Sequence, residues 1–193
     1  MRTRTALSIV ASGLGLLYGA YRGYYALGAT AGMIGVPSSR PEWLLINRVG
    51  AAALLLAALV PLIALPLWER RPARWVLLTL FSIAAVGLSM HALIDETQRL
   101  LDLAGLAGRL HINPYRFGGW RSVDVRAGDL QDILLNEPWF LIEGLTCGAL
   151  VLSELGRRVI RVRWLAGAGA ATLVCTVFGL LSATGVIGSA VIL

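Results

Sequence analysis

Long apolar segments alternate with short polar ones along the whole chain. The apolar runs cover residues 5–34, 43–68, 75–94, 138–155 and 164–193. An α-helix rises about 1.5 Å per residue, so about 20 apolar residues cross the roughly 30 Å of hydrocarbon in a bilayer. The pattern therefore predicts an all-α fold in which residues 1–193 form a single domain, an integral membrane bundle of five transmembrane helices.

Composition supports this prediction, because 57% of the 193 residues are hydrophobic and only 15% are charged. Soluble domains carry about one-quarter charged residues and cannot bury so many long apolar runs in one core. The net charge is +6, and arginine supplies all of the basic residues. The arginines flank the apolar runs, so we interpret them as signals for membrane orientation and contacts for lipid headgroups rather than for nucleic acid.

The arginines also predict the orientation of the chain. They cluster before the first run, between the second and third, and between the fourth and fifth: Arg2, Arg4, Arg70, Arg71, Arg74, Arg157, Arg158, Arg161 and Arg163. Short basic connections stay on the cytoplasmic side of a membrane. We therefore expect a multi-pass protein of the bacterial cell (inner) membrane, with the N-terminus cytoplasmic and the C-terminus extracytoplasmic.

The connection at residues 95–137 then lies outside the membrane. Leucines and charges at residues 96–110 predict an amphipathic helix that lies on, or protrudes from, the membrane surface, and residues 128–135 predict a second short one. Asn-Pro and Gly-Gly predict a loop at residues 111–120, and residues 121–126 suit an extended segment. A loop of this length in a compact fold is often functional.

Ionisable residues inside membrane spans are costly and often mark a functional site. The predicted topology places a group of polar residues in the outer third of the bilayer: Arg22, Tyr25, Arg48, His91, Asp95 and Glu143. These are the candidate binding residues, and no catalytic residue is predicted. His91 and Asp95 lie four residues apart on one helical face. We hypothesise that Glu143 pairs with Arg22, and such a pair is more often structural than catalytic.

The sequence predicts no metal site and no cofactor. A zinc site of His91, Asp95, Glu96 and His111 is conceivable but lacks any recognised ligand spacing. Only His91 lies in a predicted span, which excludes a transmembrane haem held by two histidines. The two cysteines form no C-x-x-C motif, so a thiol oxidoreductase is not expected.

Two short segments resemble a known family. YYALGATAG at residues 24–32 resembles the aromatic-x-Leu-Gly-Gly-x-x-Gly stretch that ends the first span of a family of small actinobacterial membrane proteins. NEPWFLIEG at residues 136–144 resembles the Asx-x-Pro-Trp-Phe-Leu-x-x-Gly start of a late span in that family. Ala29 replaces the usual glycine, and the outer loop is longer. The family is a domain of unknown function, so the resemblance implies a multi-span fold in the bacterial envelope and no reaction.

Three functions fit these observations. The favoured interpretation is a non-enzymatic accessory protein of the envelope that binds membrane lipids or a protein partner, since arginine suits phosphate and carboxylate groups. The second is a membrane enzyme acting on a lipid-linked substrate at the outer face, with His91, Asp95 or Glu143 as general acid or base. A solvent-connected cavity at these residues would favour the enzyme. The third is a small transporter or channel, for which Pro61 and Pro66 are the only hint.

Overall fold

The computed structural model describes residues 2–106 and 119–183, which are mostly helical. In chain order the elements are α1 (Arg2–Ala26), β1 (Gly35–Pro37), α2 (Arg40–Ile63), a 3₁₀ helix (Leu65–Glu69), α3 (Arg71–Leu103), β2 (Trp120–Val123), α4 (Val125–Gln131), a π-helix (Asp132–Asn136), α5 (Glu137–Glu154) and α6 (Arg158–Ala183). Within these ranges, α2, α3 and α6 are long and apolar enough to cross a membrane. The prediction of a mostly helical fold is confirmed, and these three helices are candidate membrane spans by their length and composition.

The first and second helices are shorter than the apolar runs that predicted them. α1 ends at Ala26 rather than at residue 34, because Gly28 and Gly32 take positive φ angles of 91° and 79° and turn the chain. α2 ends at Ile63, and the rest of the second run forms the separate 3₁₀ helix. Residues 184–193 of the fifth run lie outside the described residues.

The third helix extends at both ends beyond the apolar run at residues 75–94 that predicted it. α3 is one continuous helix of 33 residues that ends at Leu103. No glycine or proline interrupts residues 88–103, and the helix stops just before Gly105, whose φ of 73° breaks the helical path. The amphipathic helix expected at residues 96–110 is therefore the last part of α3 as far as Leu103, and residues 107–110 lie outside the described residues.

A small sheet departs from the all-α expectation. β1 pairs antiparallel with β2, with Gly35 opposite Val123 and Val36 opposite Ser122. β2 occupies much of the segment expected to be extended. The sheet ties the turn after α1 to the connection that follows α3, so two segments distant in sequence meet over one end of the bundle. Residues 111–118 of the expected loop, with His111, lie outside the described residues.

The short helix expected at residues 128–135 exists, but it begins earlier and runs on into α5. Asp124 caps the start of α4, where its Oδ1 accepts a hydrogen bond from the Ala127 N–H at 3.0 Å. The π-helix then leads directly into α5, which begins at Glu137 and matches the fourth apolar run closely. No loop separates α4 from α5, so the position of α4 determines where α5 starts.

The five long helices pack across the bundle in the order α2, α1, α5, α3, α6. The inner helices approach their neighbours through glycine. A Cβ at Gly15 would lie 2.8 Å from Ala58 Cβ on α2, and a Cβ at Gly144 would lie 2.7 Å from Ser89 Oγ and 3.0 Å from Ser89 N on α3. Small residues let membrane helices come this close.

Ion pairs join the helices at the end where α1 and α6 begin, which we call the arginine end. Arg4 Nε lies 2.6 Å from Glu154 Oε1, and Arg4 Nη1 lies 2.7 Å from Glu69 Oε1. Arg74 also donates a hydrogen bond to the Glu154 carbonyl. The arginines had been interpreted as orientation signals and lipid contacts, and the structure shows that Arg4 and Arg74 also connect α1, α3 and α5.

A Gly144→Ala substitution tests the close approach of α3 and α5. The added methyl group would collide with the Ser89 backbone, so we expect the free energy of unfolding to fall by about 1–3 kcal/mol. Gly167→Ala on α6 is the control, because no other described part of the chain lies within 4 Å of a Cβ there. Thermal denaturation in detergent measures both variants, and equal midpoints would contradict the close approach.

Candidate functional site

A cavity of about 500 Å³ opens at the end of the bundle where α1 and α3 end and α5 begins. We call it the polar pocket. Aromatic side chains form part of its wall: Tyr18, Tyr21, Tyr25, Trp43, Trp120 and Phe140. Ionisable side chains form another part: Arg22, His91, Asp95, Arg99, Asp132 and Glu137. The volume lies in the range of small-molecule binding sites.

Four of the six candidate site residues meet in this pocket. They are Arg22, Tyr25, His91 and Asp95. Arg48 is not part of the wall; it is exposed, and its Nε donates a hydrogen bond to the Ala26 carbonyl at 3.3 Å. Arg48 therefore stabilises the end of α1, where the last carbonyl groups of a helix lack partners within the helix.

Glu143 also lies away from the pocket, and the hypothesised pair with Arg22 is wrong. No ion pair within 4.0 Å joins these two residues. Glu143 Oε1 instead lies 3.3 Å from the position of a Cβ at Gly15. Gly15 precedes Arg22 by seven residues, which is about 10 Å along the helix axis. Glu143 is thus level with the middle of α1, whereas Arg22 lies in the last part of that helix.

Arg22 lies partly buried in the pocket wall beside α2. A Cβ at Gly50 would lie 3.8 Å from Arg22 Nε, so the glycine leaves space for the guanidinium. Among the described residues, no hydrogen bond or ion pair is made by Arg22. A partly desolvated guanidinium gains most from an anionic partner. The polar pocket therefore presents an arginine that is available to an anion.

The aromatic wall connects α1 to α4 and α5. The rings of Tyr18 and Phe140 lie 5.0 Å apart between their centroids, edge to face, and those of Tyr21 and Tyr25 lie 5.1 Å apart in the same arrangement. Gln131 donates a hydrogen bond from Nε2 to Tyr21 Oη at 2.6 Å. These contacts hold the wall around Arg22 in place, because edge-to-face ring pairs add to the stability that burial alone supplies.

A buried charge network forms the floor of the pocket. Arg99 is 4% exposed; its Nε lies 2.8 Å from Asp132 Oδ2 and 3.8 Å from Asp129 Oδ1. Asn136 donates a hydrogen bond from Nδ2 to Asp132 Oδ1 at 2.7 Å. Burial, with the charge of Asp102 nearby, raises the pKa of Asp129 to about 6. The network fastens α4 and the π-helix to the last part of α3.

Sequence reasoning missed this network. Arg99 had been assigned to the polar face of a surface helix, because leucines and charges alternate around it. One signal for burial was present, since Asp129 and Asp132 lie three residues apart and so share one face of a helix. Two carboxylates on one face of a short helix indicate a cationic partner, but the sequence does not identify which arginine supplies it.

Three residues with metal-binding side chains meet at one side of the pocket. His91 Nε2 lies 3.8 Å from Asp95 Oδ2 and 3.9 Å from Glu137 Oε2, and one ligand atom from each residue lies within 4.8 Å of the others. The His91 ring packs edge-on against Phe140. Glu137 had been interpreted only as the start of a helix, because an acidic residue before proline suits that position. His111 lies outside the described residues, and Glu96 is not part of the cluster.

An Arg99→Met substitution tests how the floor of the pocket is held. It would leave the Asp129 and Asp132 carboxylates buried without their guanidinium, so we expect the free energy of unfolding to fall by about 3–5 kcal/mol. Backbone amides of α4 and the π-helix should also exchange faster with deuterium. Arg126→Met on the exposed face of α4 is the matched control. Protection of these amides that is the same in both variants would contradict a role for Arg99.

Comparison with protein-family models, with curated proteins and with solved structures gives no match to the chain. The resemblance to small actinobacterial membrane proteins stays a prediction. The polar pocket, its unpaired Arg22 and the neighbouring cluster of His91, Asp95 and Glu137 are therefore the features from which a function has to be inferred.

Proposed function

We propose that α1, α2, α3, α5 and α6 all cross the membrane, although α1 and α5 are less apolar than the other three. α5 begins at the polar pocket, where α3 ends, and it ends at the arginine end, where α6 begins. It therefore runs the length of the bundle. Its 18 residues rise about 27 Å, close to the thickness of the hydrocarbon core. α1 and α5 are the inner helices, so their polar side chains have protein neighbours rather than lipid.

The outer faces of the bundle support contact with lipid. Leu56 on α2 and Val174 on α6 are 68% and 65% exposed, and large apolar side chains surround both of them. Exposed apolar surface of this extent is unusual on a soluble monomer. The orientation proposed is that the arginine end faces the cytoplasm and the polar pocket faces the outside, since basic connections are retained on the cytoplasmic side.

Single cysteines test the number of spans and their orientation. In a variant that carries alanine at Cys147 and Cys175, we expect a membrane-impermeant maleimide to label Ser122→Cys in intact spheroplasts. Arg157→Cys should react only after the membrane is permeabilised. The proposal has a cytoplasmic N-terminus and an odd number of spans before the polar pocket. It would be contradicted if both cysteines reacted in intact spheroplasts, or if only Arg157→Cys did.

The function that the pocket supports best is binding of an anionic, lipid-linked ligand by a non-enzymatic envelope protein. One observation carries this proposal: Arg22 lies in the wall of an open cavity and has no hydrogen-bond or ion-pair partner among the described residues. A guanidinium matches phosphate and carboxylate groups with two parallel hydrogen bonds. The proposed position near the membrane surface lets a headgroup enter while its chains stay in the bilayer. The tyrosines beside Arg22 supply rings that suit such an interface.

An enzyme acting on a lipid-linked substrate is a second candidate. The observation in its favour is that the same open cavity reaches Arg22, His91 and Asp95 together. An anion held by Arg22 would lie beside an imidazole and a carboxylate, which are the usual groups for proton transfer. The two candidates share the binding step and differ in whether the ligand is released unchanged.

Native mass spectrometry tests the binding step. We expect detergent-extracted protein to form a one-to-one adduct with phosphatidylglycerol, and Arg22→Gln to weaken it about 10–100-fold, because a charge-assisted hydrogen bond contributes about 1.5–3 kcal/mol. Arg48→Gln is the control, since that arginine lies at the same end but outside the pocket. Equal weakening in both variants, or equal binding of phosphatidylcholine, would contradict the proposal. Release of a cleaved headgroup during incubation would favour the enzyme.

A further inference from the structure

One turn of α3 and the first residue of α5 meet at one side of the polar pocket. α3 supplies His91 and Asp95, which lie four residues apart on one face. Glu137 lies opposite them, with its Oε2 3.9 Å from His91 Nε2. The Asp95 Oδ2 lies 3.8 Å from the same nitrogen. One imidazole nitrogen and two carboxylate oxygens therefore surround a common point.

The burial of Glu137 is the observation that calls for a ligand. Its side chain is only 4% exposed, and its Oε2 has no hydrogen-bond partner among the described residues. A carboxylate oxygen that is removed from water without a donor is costly. Asp95, the other carboxylate of the cluster, adds like charge rather than a donor. The nearest buried guanidinium, Arg99, is already bonded to Asp132. A cation bound between the two carboxylates would satisfy both.

We propose that His91, Asp95 and Glu137 bind one divalent transition-metal cation, with Zn²⁺ as the ion that fits this donor set. Imidazole nitrogen and carboxylate oxygen are common zinc ligands, at about 2.0–2.2 Å from the metal. Tetrahedral ligands at such distances lie about 3.4 Å from one another. The separations of 3.8 and 3.9 Å from His91 Nε2 exceed this by about half an ångström, and all three ligand atoms lie within 4.8 Å of one another. Side-chain shifts toward the ion would complete the site.

The fourth position of such a site faces the polar pocket. The His91 side chain is 48% exposed, so the cluster is open on the side of the cavity. Arg22 lines the same cavity. A metal with three protein ligands keeps one position for water or an anion, whereas a structural zinc site is closed by four. The metal site does not depend on the anion-binding proposal, because its ligands do not include Arg22.

Metal titration of the full chain tests the site. Protein purified in detergent through a tag without histidine is stripped with a chelator and titrated with Zn²⁺ against a competing dye. We expect one ion per chain. Glu137→Gln and His91→Gln should each weaken Zn²⁺ binding by at least about 100-fold. Loss of a group that only orients a metal ligand weakens binding by about 10–100-fold, so the larger effect indicates direct ligands. Glu143→Gln is the matched control on α5, because that carboxylate lies outside the cluster, and it should bind as the unaltered protein does.

Co²⁺ gives a readout that does not depend on any variant. Bound to nitrogen and oxygen ligands alone, it should show visible d–d bands in the unaltered protein without a thiolate charge-transfer band. Absence of one-to-one binding, equal affinity in Glu137→Gln, or a thiolate band that assigns the ion to Cys175 would each overturn the proposal. Size-exclusion chromatography of the variants separates loss of a ligand from loss of the fold. Binding of phosphatidylglycerol that survives chelation would leave the anion-binding function intact.

Discussion

The buried pair between Arg99 and Asp132 determines where the polar residues of the pocket lie. α3 supplies Arg99 one turn beyond Asp95, and the π-helix that contains Asp132 leads without a break into Glu137. Once these two side chains are buried, neither tolerates the loss of its partner, because an unpaired charge in the interior is far more costly than a paired one. The start of α5 is thereby held at one depth, and that depth brings Glu137 level with His91.

The sequence was sufficient to predict that several polar residues lie toward one end of the bundle, but it could not predict which of them are level with one another or touch. Charge blocks and apolar runs correctly grouped Arg22, His91 and Asp95, which do meet in one pocket. Glu143 was grouped with them because it lies near the start of the fourth run, yet it is level with Gly15. A difference of just under two helical turns decides between contact and separation. The sequence contains no information on how two neighbouring helices are aligned along their axes, so it could not resolve this difference. Glu137, just outside the run, is the carboxylate that reaches the pocket.

The end of α3 is a second feature that the pattern of apolar and charged residues did not predict. Its apolar stripe continues into charged residues, and that change was interpreted as a break between a span and a surface helix. The backbone has no reason to break there, because good helix formers continue to Leu103. The charge of Arg99 is instead matched by Asp129 on α4 and Asp132 on the π-helix, and Asp132 lies 33 residues further along the chain. Local periodicity contains no information about such a partner, so the burial of Arg99 could be found only from the fold.

The pocket itself follows from helices of unequal length. α3 extends about 50 Å, whereas α1 stops at Ala26 and α5 begins only at Glu137, so α3 runs on where its inner neighbours end. The space left beside it is closed by α4 and by the β1–β2 pair, which brings Trp120 against Trp43 of α2. Under the proposed orientation this space lies where hydrocarbon gives way to headgroups and water. Charged groups cost less there than at the bilayer centre, and an anion or a metal ion has direct access from outside.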